Sequence, residues 1–172
     1  MFLWNEWGRW NSSGVSWTRA EKGSGQGASN IPEMRYAIID SDVYIGHWER
    51  GDFERVLSDL RRSFIVRHSA VVLSELRRGA RTTEARTLIA ALHRIALPLW
   101  EPTAADWWET GGLVRDIGDA EHWETSKRRD FQNDALIALT ARRYGAAVVT
   151  HNQRDFSHLS RRLGIRVITA SD

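Results

Sequence analysis

The chain has 172 residues, which suffice for one globular domain with a sizeable core but are few for two. Apolar residues (42%) and charged residues (27%) occur in ordinary soluble proportions, and no apolar run reaches the roughly 18 residues that span a bilayer, so we expect a cytoplasmic protein without a membrane segment. No cysteine is present, which excludes disulfides and thiolate metal sites and leaves Asp, Glu and His as possible metal ligands. The basic residues are nearly all arginine, often in adjacent pairs, and arginine suits phosphate well.

Residues 1–34 differ in composition from the rest of the chain. They hold four of the nine tryptophans and the Gly/Ser-rich stretch EKGSGQGASN, without helical or strand periodicity. We therefore predict a poorly ordered N-terminal extension at 1–34 and a single domain at 35–172. Two alternatives stay open, namely a docking segment that packs through its tryptophans and a true translation start at Met34.

From residue 35 onward, short apolar stretches alternate with amphipathic helical stretches. The apolar stretches are typical of buried strands, and the intervening ones have the spacing of helices with one buried face. This alternation predicts an α/β fold with a central parallel sheet of about five strands flanked by helices. The five predicted strands lie within 36–40, 63–69, 96–102, 146–150 and 165–169.

Four separated acidic residues lie near the predicted ends of these strands. Asp40 ends the first strand and Asp155 follows the fourth, so both fall at the edge of a parallel sheet where functional groups gather. Glu75, on the helix after the second strand, reaches this edge if that helix leans across the first strand. Asp134 lies near the predicted start of the long helix before the fourth strand, which places it at the opposite end of that crossover.

Carboxylates brought close together need a compensating cation, because like charges raise one another's pKa. Magnesium prefers oxygen ligands and is commonly held by carboxylates together with substrate phosphate, so the pattern favours phosphodiester hydrolysis at one or two ions. Each acid also has a purely structural interpretation: a helix cap for Asp40 and Asp155, an ion pair with Arg78 or Arg81 for Glu75, and a favourable interaction with the helix dipole for Asp134.

Three segments, IIDSDVYIG, SAVVLSELRRG and FQNDALIALTARRYGAAVVTHNQRDF, together resemble the PIN-domain ribonucleases. The closest resemblance is to VapC-type toxins of bacterial toxin-antitoxin pairs, and it covers about 36–169. It implies a PIN-like (Rossmann-like) three-layer domain and places Asp134 at the shared acidic site. Position by position, it implies magnesium or manganese ligands and two supporting polar residues: Asp40, Glu75, Asp134 and Asp155 as ligands, with Thr150 and Asn152 beside them.

The resemblance also implies a function, a substrate and partners. It implies a metal-dependent endoribonuclease, the toxin of a toxin-antitoxin pair, that forms a homodimer and is inhibited by a small VapB-like antitoxin. Ser41 stands where Thr is common in the family, and Asp42 adds a negative charge for which the pattern predicts no role.

Two other functions are compatible with parts of the pattern. A PIN module that binds RNA without cutting it would keep the fold, although all four acids are present. A haloacid-dehalogenase-like phosphatase would use Asp40 as nucleophile and Asp42 as acid/base, but it needs a phosphate-binding lysine. Lys22 precedes the motif, and Lys127 lies in the polar stretch 118–130, which we predict to be a loop or an irregular helix start. The six histidines show no metal-ligand spacing.

Overall fold

The structure, a computed structural model, describes residues 35–171. The predicted extension at 1–34 lies outside the described residues. The elements in chain order are β1 (Tyr36–Ile39), α1 (Ser41–Arg50), α2 (Glu54–Ser63), β2 (Ile65–Arg67), α3 (Ala70–Gly79), α4 (Thr83–Ile95), α5 (Ala104–Ala120), α6 (Thr125–Tyr144), β3 (Ala147–Thr150), α7 (Gln153–Leu163) and β4 (Val167–Thr169).

The strands form one parallel sheet in the order β2-β1-β3-β4. In the centre of the sheet, Ile38 pairs with Val148, and both side chains are fully buried. Central strands covered on both faces need continuous apolar sequence, which is why β1 and β3 carry almost no polar residue before their last position. The predicted α/β fold with a parallel sheet flanked by helices is confirmed.

The predicted strand at 96–102 is wrong, so the sheet has four strands among the described residues instead of about five. Only an isolated bridge joins Trp100 to Ser69, with Trp100 N–H donating to the carbonyl of His68. Pro98 has no N–H and cannot contribute a full ladder of hydrogen bonds. The Trp100 ring instead stacks on Tyr144 with 4.0 Å between ring centres, so this segment contributes packing and not sheet.

Helix α6 begins earlier than its sequence suggests. The polar stretch 118–130 was expected to be irregular, but α6 starts at Thr125 and runs to Tyr144, where Gly145 ends it in a left-handed conformation. Its first turn carries Lys127 and Arg128, which form ion pairs with Asp155 and Asp119. Asp134 consequently lies in the middle of the helix and not at its start.

Helix α6 is the element that positions the site above the sheet. It packs against α5 and α7 and lies over β1 and β3. Its buried face holds Phe131, Ala135 and Leu139, all fully buried, so the helix is fixed in rotation and Asp134 is held on its flank. None of the helices within 35–171 has the length and apolar character needed to cross a membrane.

Candidate functional site

Asp40 lies at the carboxyl end of β1 and is 4% exposed. Its backbone N–H donates to the carbonyl of Val149, which continues the β1–β3 pairing and brings the ends of both strands together. Its carboxylate accepts hydrogen bonds from the backbone N–H of Ser41 at 2.7 Å and from Thr150 Oγ1 at 2.9 Å. Asp40 therefore caps α1 and also belongs to a cluster at the sheet edge, so both sequence interpretations of this residue hold.

Glu75, on α3, faces the same edge. One carboxylate oxygen accepts from Ser41 Oγ at 3.0 Å and the other from Asn133 Nδ2 at 2.8 Å. Glu75 thus bridges the start of α1 and the middle of α6. These two hydrogen bonds, and not an ion pair with Arg78 or Arg81, fix the side chain.

Asn152 connects Asp134 to Asp155. Its Nδ2 donates to Asp134 Oδ2 at 3.2 Å and to Asp155 Oδ2 at 2.8 Å. Its Oδ1 accepts from the backbone N–H of Asp155 at 3.4 Å, so Asn152 is the N-cap of α7. The interpretation of Asp155 as a helix cap is therefore wrong. Asp155 is a first-turn residue with a buried side chain that points to the other acids.

All four predicted acids converge at the carboxyl edge of the sheet. Asp134, which strand order alone placed at the far end of its crossover, reaches the cluster because α6 starts early and runs beside the site. Its carboxyl lies close enough to Asp40, Asp155 and Glu75 for all three to raise its pKa. Its interpretation as a first-turn acid is wrong.

The electrostatics of the cluster favour protonation or a bound cation. Burial, and then the charges of Asp40, Asp155 and Glu75, raise the pKa of Asp134 to about 9. Burial, and then the charge of Asp42, raise the pKa of Asp40 to about 7. At neutral pH the cluster therefore cannot be fully ionised without compensating positive charge.

The family resemblance assigned no role to Asp42, and the structure gives it one. Its Oδ2 accepts from the backbone N–H groups of His151 and Asn152 at 3.0 and 2.8 Å, and from Thr150 Oγ1 at 3.2 Å. Asp42 therefore fixes the turn that follows β3. Asp42 follows Asp40 by two residues, so the sequence shows that the two acids are close together. The hydrogen-bond partners of Asp42 are more than 100 positions away in the chain, so no local sequence pattern indicates them.

Lys127 was also missed, because the stretch around it was predicted to be irregular. Its Nζ forms an ion pair with Asp155 Oδ2. A usable signal existed: Lys127 precedes Asp134 by seven residues, about two helical turns, which puts both on one face of a continuous helix. Recognising that α6 begins at Thr125 would have found it.

Comparison with known proteins gives the fold family. No protein-family model matches the sequence, and no curated protein does. Among solved structures, DNA-bound VapBC from Salmonella typhimurium is 23% identical, with a TM-score of 0.56, over 80% of this chain and 100% of that one. VapBC-1 from nontypeable Haemophilus influenzae is 15% identical, with a TM-score of 0.59, over 80% and 99%. VapBC-5 from Mycobacterium tuberculosis, a member of the VapBC family of toxin-antitoxin systems, is 21% identical, with a TM-score of 0.51, over 78% and 98%.

The chain has the fold of a VapC-type PIN domain. The resemblance seen in the sequence is thus confirmed for the fold. The cluster of acids lies at the carboxyl ends of β1 and β3, where open parallel sheets place their sites.

The oxygen ligands that these acids offer fit a hard divalent cation. Within residues 35–171, no group of three or more Asp, Glu or His side chains has the positions that would hold an ion. Two carboxylate oxygens, Asp155 Oδ1 and Asp42 Oδ1, are buried and have no hydrogen-bond partner within the described part of the chain. Buried carboxylate oxygens without partners are costly, and a cation with oxygen ligands would relieve that cost.

Proposed function

We propose that this protein is a magnesium- or manganese-dependent endoribonuclease that acts as the toxin of a toxin-antitoxin pair. The observation that carries the proposal is the convergence of Asp40, Glu75, Asp134 and Asp155 at one sheet edge, with the pKa of Asp134 raised to about 9. A nuclease needs such a concentration of carboxylates to hold cations against phosphate, whereas the packing of the fold does not need it.

The four acids would hold the cation, with Asp40 and Asp134 as the best-supported ligands. Such an ion lowers the pKa of a bound water and stabilises negative charge on the phosphate oxygens. The protein's own contribution is the orientation of the carboxylates. Thr150 holds Asp40, Asn152 holds Asp134 and Asp155, and the pair of Ser41 and Asn133 holds Glu75.

This set of hydrogen bonds resembles the outer contacts that fix metal ligands in other proteins. The partners are neutral and donate to the carboxylates, so they stabilise the charged forms without supplying positive charge. Apart from the single positive charge of Lys127 on Asp155, neutralisation of the acids is therefore left to the cation. Thr150 and Asn152, the two supporting residues expected from the resemblance, have this role in the proposal.

The proposed partners are RNA, a second copy of the chain and a small VapB-like antitoxin. The support for the antitoxin is the shared fold with VapBC proteins, one of which belongs to a family of toxin-antitoxin systems. The proposed site is rich in carboxylates, and an antitoxin segment with a basic residue would be complementary to it.

The test is cleavage of labelled RNA by the purified full chain with magnesium or manganese, with and without EDTA. We expect cleavage with the ion and none with EDTA, and a loss of at least about a hundredfold in Asp134→Asn. Asp59→Asn is the matched control, because Asp59 is an exposed acid on α2 that pairs with Arg62. Cleavage that survives EDTA, or an Asp134→Asn variant as active as the parent, would refute the proposal.

The same preparation separates the two alternatives. A PIN module without chemistry would bind RNA and leave it intact, whereas a phosphatase would hydrolyse a small phosphate ester such as p-nitrophenyl phosphate. Within residues 35–171 the structure disfavours the phosphatase mechanism, because Lys127 pairs with Asp155 and is not among the hydrogen-bond partners of Asp40.

The toxin role is tested in cells. Expression of the parent chain should arrest growth, co-expression of the product of the neighbouring gene should relieve the arrest, and Asp134→Asn should not arrest growth. Growth arrest by Asp134→Asn to the same extent as the parent would show that any toxicity has another cause.

A further inference from the structure

Within residues 35–171, a single lysine side chain borders the acidic cluster. Lys127 is on the first turn of α6, its Nζ pairs with Asp155 Oδ2, and its side chain is 39% exposed while that of Asp155 is 4% exposed. The Nζ also lies 5.4 Å from the ring centre of Trp123. The ammonium group therefore faces both the buried acid and the solvent.

The ammonium is not the sole partner of Asp155. The same carboxylate oxygen accepts from Asn152 Nδ2 at 2.8 Å, and Asn152 Oδ1 accepts from the backbone N–H of Asp155. Asp155 is thus held in place by Asn152 even without the lysine. Lys127 contributes charge more than position, and it is the group that lowers the pKa of Asp134 against the neighbouring acids.

We propose that Lys127 is a substrate-binding residue that pairs with an RNA phosphate beside the bond to be cut. This inference rests on the proposed nuclease function. When cations neutralise the acids, the attraction that holds the ammonium on Asp155 weakens, because positive charges repel. The four-carbon stem lets Nζ turn outward, and the phosphate supplies the anion that it then meets.

A lysine suits this position better than the arginines that dominate the chain. Its compact ammonium exchanges one oxygen partner for another by rotation about its stem, whereas a planar guanidinium needs paired acceptors to use its donors. Within residues 35–171, Lys127 is the only lysine, and it lies at the acidic cluster.

The test measures RNA binding and not cleavage. All proteins carry Asp134→Asn, so the RNA stays intact, and the affinity for a labelled single-stranded RNA is measured over a range of salt concentrations with manganese present. Loss of one phosphate contact to a single strand lowers the slope of log affinity against log salt by about 0.7. We expect Lys127→Gln to lower the slope by that amount and to weaken binding at low salt about fivefold.

The matched control is Arg129→Gln, which removes the same charge from the same helix. Arg129 lies two residues beyond Lys127, about 200° around the helix, and is exposed. We expect a slope that differs little from that of the parent. Lys127→Arg keeps the charge and should keep most of the slope, which guards against a folding defect in Lys127→Gln.

The outcomes separate this inference from the proposed function. If the parent cleaves RNA but Lys127→Gln and Arg129→Gln have the same salt slope, the role of Lys127 is refuted and the nuclease function stands. If Lys127→Gln and Lys127→Arg lose affinity equally, the residue acts through shape and not charge, and the inference fails too. If the parent neither cleaves nor binds RNA, both proposals fail together.

Discussion

Asp42 Oδ2 accepts a hydrogen bond from the backbone N–H of Asn152 at 2.8 Å. This contact joins the first turn of α1 to the turn after β3, two segments that are 110 positions apart in the chain. Because Asn152 in turn holds Asp134 and Asp155, the position of these acids depends on Asp42. Asp42 is therefore a structural member of the site although it is not among the predicted ligands.

Removal of this acceptor should destabilise the protein. Asp42→Ala removes the acceptor of three hydrogen bonds, from Thr150 Oγ1 and from the backbone N–H groups of His151 and Asn152. The N–H of Asn152 keeps Thr150 Oγ1 as a second acceptor at 2.9 Å, and we expect the free energy of unfolding to fall by about 2 kcal/mol in total. Asp42→Asn keeps an acceptor oxygen and removes a charge next to Asp40, so its loss should stay below about 1 kcal/mol. Urea denaturation of the three proteins with EDTA present measures the difference. Equal midpoints for Asp42→Ala and the parent would show that the contact is unimportant.

Asn133 should act on catalysis through Glu75. Asn133→Ala removes the donor to Glu75 Oε1, and loss of such an outer contact typically costs at least about tenfold in metal affinity or activity. The expected result is a roughly tenfold slower cleavage of RNA, with little change in the free energy of unfolding.

A double-mutant cycle checks that route. If Asn133 acts only by holding Glu75, then Asn133→Ala should cost nothing further in a Glu75→Gln background. An equal additional loss in that background would mean that Asn133 acts independently of Glu75.

The sequence predicted the α/β class and the set of acids because both leave local signals. Buried parallel strands are continuous apolar runs, and acidic residues at their ends can be recognised directly in the sequence. The strand expected at 96–102 failed for the opposite reason, since an apolar run around Pro98 can also be a segment that packs through Trp100 without a ladder.

The convergence of the acids required information that strand order does not contain. Asp134 reaches the cluster because α6 has two polar turns before its apolar face begins, and a polar start looks like a loop when periodicity is the only guide. Lys127 was missed for the same reason. The partners of Asp42 come from another part of the chain, so only the fold or the family resemblance can place them.

Neutralisation of Asp134 should stabilise the protein in the absence of divalent cations. The pKa of Asp134 is raised to about 9, which means that the folded state disfavours its charge relative to the unfolded chain. Asn at this position keeps an acceptor for Asn152 and removes that penalty. We expect Asp134→Asn in EDTA near pH 8 to be more stable by about 1 to 3 kcal/mol, a range reduced because the side chain is only half-buried.

Thermal melting in EDTA measures this effect, with Asp59→Asn as the surface control that should stay within about 0.5 kcal/mol of the parent. A variant that is both inactive and more stable would show that the acids are kept for chemistry at a cost in stability. A less stable Asp134→Asn would indicate a structural role for the carboxylate.

Stabilisation by divalent cations should increase with pH. Asp40 and Asp134 have folded pKa values of about 7 and about 9, above the unfolded value of 3.8, so the stability they contribute is complete below that value and is lost as pH rises through 7 and 9. Cations bind the deprotonated carboxylates and reverse this loss. The increase in melting temperature caused by manganese should therefore be larger near pH 8.5 than near pH 6.5.

The stability contributed by His68 changes at lower pH than this range. Burial lowers the pKa of His68 from 6.5 to about 4, so its contribution is complete above 6.5 and is lost as pH falls toward 4.

Calorimetric titration of manganese in two buffers with different heats of ionisation should show protons released from the parent, and fewer from Asp134→Asn. Manganese binding without proton release, and with the same thermal effect at both pH values, would place the ion away from Asp40 and Asp134.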